Sequence, residues 1–331
     1  MLLSTLFVVQ FLSSNSVDIS EVIQDTQINI ERFYVEQRSI ETINQSLSAP
    51  QLLQQLDQAE TPDQLAKNLT QHLQKFDAHF TVQYQSESTS ALEVKESWFS
   101  KLARKNYGFS KVEVLEGNVG LLVFWGFADL NQAVKDKISA VMSLLLDVDA
   151  LIIDLRANGG GSGETVQWLS SYFVDGKVHL NSFYTRYNDS EQTFWTHPQI
   201  NYDHLEQIPL YILTSDQTFS AAEEFTYNFK HLGRAVIVGE PSKGGANPWR
   251  WFNLTQGFRL GIPTTKAINP ITQGNWESKG VQPNIVISAD NALDLAYKHA
   301  LESLLENADN GYRRQEIEQQ LQRMKTNSTK D

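Results

Sequence analysis

Short apolar runs that alternate with helical patterns constrain this chain more than any other feature. Ala150–Asp154 (ALIID) and Leu210–Thr214 (LYILT) are nearly unbroken in apolar character. Such runs lack the period-two alternation of a half-exposed strand, so they read as strands buried on both faces and covered by helices. Helical patterns lie around them at Leu130–Leu146, Glu164–Phe173, Ala221–Leu232 and from Ala292 to about Leu305. Further strands are expected at Val119–Trp125, Leu180–Thr185, Ala235–Val238, Trp251–Leu254 and Phe258–Ile262. Strands interleaved with helices specify an α/β domain.

The N-terminal part has a different period. Residues 17 to about 76 contain no glycine and read as helices. Thr61-Pro62 is a helix start, with Thr as N-cap and Pro at the first helical position. Leu65, Leu69, Leu73 and Phe76 then fall on one face, and a small bundle is the natural way to bury such stripes. At Phe80 the pattern changes to a strand, FTVQY; from there to about residue 115 no clear period emerges. The polar tail from Asn307 is expected to be a frayed helix. Ahead of all this, the apolar run Leu2–Leu12 is too short to span a bilayer. It suits the central region of a signal peptide, although the usual basic residues before it are missing. The expected organisation is a signal peptide at 1–16, a helical bundle at 17–79, an α/β domain at 80–306 and a polar tail at 307–331, in a periplasmic or secreted protein.

Composition narrows the function classes. With 41% hydrophobic and 20% charged residues the chain is ordinary globular material. A net charge of -12 without clustered Lys or Arg disfavours nucleic acid and anionic membrane surfaces as partners. The absence of cysteine removes thiol nucleophiles and thiolate metal sites, and no HExxH spacing occurs, so no metal and no cofactor is expected.

Two segments carry chemistry. In TSDQTFSAAEEF, Ser220 falls where a buried strand turns into a helix start, a place whose free N–H groups favour negative charge. The amide of Ala221 is placed to donate to an oxyanion formed when a serine attacks a carbonyl. The same residues also read as a capping box, the reading that local pattern favours, with Ser220 as N-cap and Glu223 at the third helical position. Local pattern leaves both open. In DLRANGGGSG, the run Gly159–Gly161 lets backbone approach a ligand closely, and Gly160 or Gly161 is a candidate second oxyanion donor. It lacks the Gly-Lys-Ser/Thr ending of a phosphate loop.

These two segments, together with LGRAVIVGEPSKGGANP and INPITQGNWESKGVQPNI, resemble the C-terminal processing (tail-specific) peptidase family. Within it the chain is similar to the branch of the tricorn protease core and the interphotoreceptor retinoid-binding protein repeats, from about residue 20 to 305. The resemblance implies a crotonase-like ββα core preceded by a small helical bundle, and a serine peptidase whose nucleophile is Ser220. It further implies His79 in FDAHFTV as base and Glu277 in NWESKGV as the assisting carboxylate, acting on peptide or protein substrates. His72, on the preceding helix, is the competing histidine.

The chain departs from the family in three places. Ala78 stands where a serine precedes the histidine in the tricorn-like site. Gly245 stands where a Ser/Lys branch carries its lysine, with Lys243 two residues out of register. The stretch from Gln85 to Gly117 is too short for an inserted PDZ module. Trp249, Trp251, Phe252 and Trp276 are candidates for an apolar substrate groove or for strand packing, and Arg250 and Lys279 for holding a substrate carboxylate. The competing reading is a non-catalytic carrier of hydrophobic small molecules on the same fold, which would have no need of Ser220, His79 and Glu277 together.

Overall fold

The computed structural model describes residues 17–85, 96–200 and 203–327; the run expected to be a signal peptide lies outside the described residues. Four helices come first: α1 (Ile19–Phe33), α2 (Ile40–Leu47), α3 (Pro50–Asp57) and α4 (Pro62–Leu73). The expected Thr61 cap forms, its side chain accepting from the Gln64 N–H at 3.2 Å. There follow β1 (Thr81–Tyr84), α5 (Trp98–Arg104), β2 (Phe109–Leu115), β3 (Val119–Phe124), α6 (Gln132–Leu144) and β4 (Ala150–Asp154). The middle of the chain forms α7 (Gly163–Ser170), β5 (His179–Thr185), β6 (Ser190–Trp195), α8 (Asp203–Gln207), β7 (Leu210–Thr214), α9 (Ala221–His231) and β8 (Val236–Gly239). The chain ends through β9 (Trp249–Asn253), β10 (Phe258–Pro263), β11 (Thr265–Ile268), β12 (Ile285–Val286), α10 (Ala289–Glu306) and α11 (Tyr312–Asn327).

A six-stranded sheet in the order β12-β8-β7-β4-β3-β2 forms the centre. Only β2 runs antiparallel to its neighbour; the other four pairings are parallel. The apolar runs explain why. In β4, Leu151 and Ile153 face a cluster with α6, α7 and α9, while Ala150 and Ile152 face a cluster with α10 and α11. In β7, Leu210 and Ile212 join the first cluster, and Tyr211 and Leu213 the second. A strand covered on both faces is apolar along its length, and here polar residues come only at the C-terminal ends, Asp154 and Thr214.

Two antiparallel three-stranded sheets flank the centre, β1-β10-β9 and β11-β5-β6. The N-terminal helices bury their stripes against the first of these. Val22, Ile30, Leu56, Leu69 and Leu73 share one cluster with Phe80 and Val82 and with Phe258, Leu260 and Ile262 of β10. The tail differs from expectation: α11 is a formed helix with Ile317 fully buried against α10, and its Glu316 accepts from the Gly117 N–H at 2.8 Å. Among the described residues no helix is long and apolar enough to cross a membrane.

Candidate active site

The C-terminal ends of β4 and β7 deliver the glycine loop and Ser220 to the same edge of the sheet, where open α/β sheets characteristically bind ligands. Ser220 sits between β7 and α9 with φ 56° and ψ -119°. A side chain at such a position costs about 1–3 kcal/mol and persists only where neighbours dictate it. Here the Phe219 N–H donates to the Asn158 carbonyl at 3.0 Å. The Thr218 hydroxyl donates to the Leu155 carbonyl at 2.9 Å, and the Ser220 N–H to Glu223 Oε2 at 2.8 Å. The capping reading and the nucleophile reading of Ser220 are therefore compatible, since capping holds the turn that presents the hydroxyl.

Glu223 does more than cap. Fully buried, it also accepts from the Ser242 hydroxyl (2.5 Å) and from the N–H groups of Gly244 (2.6 Å) and Gly245 (2.9 Å). Burial pushes its carboxyl above the ordinary range, and these donated bonds pull against that. One side chain thus ties the Ser220 turn to the 242–245 loop.

Asn158 ties it to the glycine loop. Fully buried, it donates to the Phe124 carbonyl at 3.0 Å, while its Oδ1 accepts from the Gly160 N–H at 2.9 Å. This corrects one expectation. The Gly160 N–H is engaged, so it cannot serve an oxyanion, and Gly160 instead permits contact: a Cβ there would lie 2.7 Å from the Phe219 carbonyl oxygen and 2.8 Å from Ser220 Cβ. The N–H groups of Gly161 and Ala221 meet no acceptor among the described residues, and both residues line the cavity beside Ser220.

His79 enters from the turn between α4 and β1, its Nε2 3.3 Å from Ser220 Oγ. Its ring rests on Phe219, centroids 4.6 Å apart. Gly245 closes over both rings: a Cβ there would lie 2.2 Å from Phe219 Cε2 and 2.7 Å from His79 Cε1. Neither competitor for the base role is placed for it. His72 Nε2 bonds the Ser46 hydroxyl at 2.9 Å on the α2 side, and the Lys243 ammonium lies over the Phe219 ring, 4.7 Å from its centroid.

Asp77 is the residue that sequence reasoning missed. Its Oδ1 accepts from the His79 N–H at 3.0 Å, the Asx turn that Asp-x-His makes locally, and lies 3.6 Å from His79 Nδ1. Its Oδ2 accepts from Asn247 Nδ2 at 2.8 Å. Glu277 is close by: Asp77, His79 and Glu277 each bring one ligand-type atom within 4.8 Å of the others. Glu277 Oε2 accepts from the Ala246 N–H at 2.6 Å, while Oε1 meets no partner among the described residues. Burial, and then the charge of Asp77, raise the Glu277 carboxyl to about 8. The same burial, with both carboxylates nearby, holds the Tyr34 hydroxyl protonated far above its usual range. A cation could approach this trio. Both Asp77 oxygens and one Glu277 oxygen already accept hydrogen bonds, however, which suits a carboxyl pair around an imidazole better than a cage.

The cavity measures about 950 Å³ and is lined by Ser220, His79 and Gly161 among others. Of the aromatic candidates, Trp249 and Trp251 line it from β9, ring to ring at 4.8 Å. Trp276 touches it too, but is almost fully buried and packs with Ala246, Ala267 and Val281, its Nε1 donating to the Gly245 carbonyl at 2.8 Å. Phe252 lies in the helical cluster, stacked on Phe33. Arg250 lines the cavity, and Lys279 does not.

The family model of peptidase family S41 matches residues 118–287, from β3 through β12. The chain belongs to peptidase family S41. It is 26% identical over 142 residues to the carboxy-terminal processing protease CtpB of Bacillus subtilis, a match covering 43% of this chain and 28% of that protein. The match thus spans little more than a quarter of that relative's length. Among solved structures, a proposed peptidase of Parabacteroides merdae aligns with a TM-score of 0.62 at 15% identity, covering 86% of this chain and 98% of the other. The photosystem II D1 C-terminal processing protease aligns at 0.53 and 13% identity, covering 83% and 94%. At these identities the structural matches establish the shared fold, a mixed α/β core with a helical N-terminal region.

Proposed function

We propose that this S41 member is a serine peptidase that hydrolyses peptide bonds through an acyl-enzyme on Ser220. The observation that carries the reading is the 3.3 Å approach of His79 Nε2 to Ser220 Oγ at the wall of an open cavity. A neutral imidazole with its proton on Nδ1, the side facing Asp77, leaves Nε2 free to accept. His79 takes the proton as Ser220 Oγ bonds to the substrate carbonyl carbon. The oxyanion that forms is met by the N–H groups of Ala221 and Gly161. His79 then protonates the departing amine, and a water attacks the ester with His79 again as base.

In this reading Asp77 orients the ring and balances the imidazolium. Glu277, its carboxyl raised by burial and by the charge of Asp77, supports the pair.

A fluorophosphonate probe tests the reading. Wild-type protein is expected to be labelled, and Ser220→Ala to lose the label. Equal labelling of both would end it.

A further inference from the structure

Glu224 lies one turn of α9 past Ser220, about 5.4 Å further on and on the nucleophile's side of the helix. The link is direct: the Glu224 N–H donates to the Ser220 carbonyl at 2.9 Å. The side chain is 4% exposed, and it lines the same cavity as Ser220. No lysine, arginine or histidine pairs with it among the described residues. A carboxyl buried without a cation is costly unless something neutralises it. Consistent with that, burial raises it to about 8 in the free protein. The cavity of about 950 Å³ opens beside it. Gly163 is a close neighbour: a Cβ added there would sit 3.6 Å from Glu224 Oε2, in van der Waals contact. Phe183 and Phe194, edge to face at 5.1 Å, form an apolar wall beside it. Asp129, Glu164 and Glu191 are exposed around the cavity, and Arg250 on β9 is the one lysine or arginine lining it.

We infer that this cavity is a subsite for a basic side chain, lysine or arginine, of a bound peptide, with Glu224 as the anion at its inner end. The inference rests on the peptidase reading above and names its substrate class. The methylene stem of such a side chain lies along Phe183 and Phe194, as long cationic side chains do on apolar surface. Its charged head reaches the buried carboxyl of Glu224, which has no partner cation among the described residues, and the acidic rim favours approach of basic peptides. A neutral hydrocarbon chain would fill the same space and leave the carboxyl, which has a hydrogen bond with Asn181, without a cation.

Binding to the inert Ser220→Ala protein reads this separately from catalysis. Alanine-based hexapeptides with lysine walked through each position, and their norleucine counterparts, are titrated by calorimetry. At least one lysine peptide is expected to bind tenfold or more tightly than its norleucine twin. Adding Glu224→Gln, which keeps the shape and hydrogen bonding but not the charge, should bring the two affinities together. Equal affinity with Glu224 present overturns the inference, and so does a preference that survives Glu224→Gln. Should Glu224→Gln fail to fold, the lysine–norleucine comparison in Ser220→Ala still decides. Probe labelling of wild-type Ser220 without a lysine preference would defeat the subsite alone. A lysine preference without labelling would defeat the catalytic reading alone.

Discussion

Asp77 Oδ1 lies 3.6 Å from His79 Nδ1, closer than any other carboxylate oxygen among the described residues. Glu277 brings an oxygen within 4.8 Å of both, and burial, with the charge of Asp77, raises its carboxyl to about 8. Asp77 is thus the carboxyl that faces the imidazole most closely. Asp77→Asn should lower kcat by roughly 10²-fold or more with little change in KM, because it removes the carboxylate beside Nδ1 that balances the imidazolium formed during the reaction. Glu277→Gln, which mimics the protonated form, should cost far less. Steady-state kinetics on one peptide substrate compares the two, and a larger loss in Glu277→Gln would reverse the roles assigned here.

The raised carboxyl of Glu277 also sets a stability trend. In the unfolded chain this group loses its proton near the ordinary value of 4.5, whereas in the native protein it holds it to about 8. Between those values the native state binds more protons, so stability is greatest below the window and is lost as pH rises through it. Glu224, also raised to about 8, adds a change of the same sign. One such group contributes a slope on the order of 1 kcal/mol per pH unit. Urea midpoints should fall from pH 5 to pH 8, and fall less steeply in Glu277→Gln. A midpoint that rises with pH would contradict the assignment.

Much of this arrangement was readable from the chain, and the exceptions share a cause. β4, β7 and α9 stand where the sequence places them, because an apolar run ending in a turn and a helical stripe are local signals. β6 and β11 carried no such signal: Ser190–Trp195 is largely exposed, and Thr265–Ile268 exists as a strand through its pairing with β5. α11 is polar except for Ile317, Leu321 and Met324, so its docking on α10 shows only in three dimensions. His79 and Glu277 came from motif resemblance rather than from periodicity. Asp77 was legible as the Asx turn in Asp-x-His and was overlooked. The engaged N–H of Gly160 depends on Asn158 folding back, which spacing alone does not reveal.

Gly245 tests how tightly the imidazole is held. A methyl group there would press on His79 Cε1 and on the Phe219 ring. The backbone conformation at this position is open to alanine, since Gly245 is not among the glycines with positive φ. Gly245→Ala should therefore fold, with a loss of about 1–3 kcal/mol from overpacking, while kcat drops by roughly 10²-fold as Nε2 shifts from the hydroxyl. Thermal melting and kinetics on the same sample separate the two effects. Full activity would mean that the ring has more freedom than the contact suggests.

Asn158 is the joint between the glycine loop and the Ser220 turn. Asn158→Ala would leave the Phe124 carbonyl and the Gly160 N–H buried without partners, at about 1–3 kcal/mol for each unmet group. It also frees the loop that carries Gly161, so labelling of Ser220 should slow together with the fall in melting temperature. A stable variant that labels at the normal rate would show that the loop is fixed by something else.

Ser220 itself stores strain that two substitutions can read. Alanine and glycine both remove the hydroxyl and its contact with His79, so any difference between them reports the backbone. At φ 56° and ψ -119° a residue with a Cβ is disfavoured, whereas glycine enters freely. Glycine is more flexible in the unfolded chain and gives back about 0.5–1 kcal/mol on that account. The strain relieved is larger, so Ser220→Gly should unfold at higher urea than Ser220→Ala by a margin worth on the order of 1 kcal/mol. If alanine were the more stable of the two, the turn would be relaxed, and the Glu223 and Asn158 contacts would be packing rather than restraint.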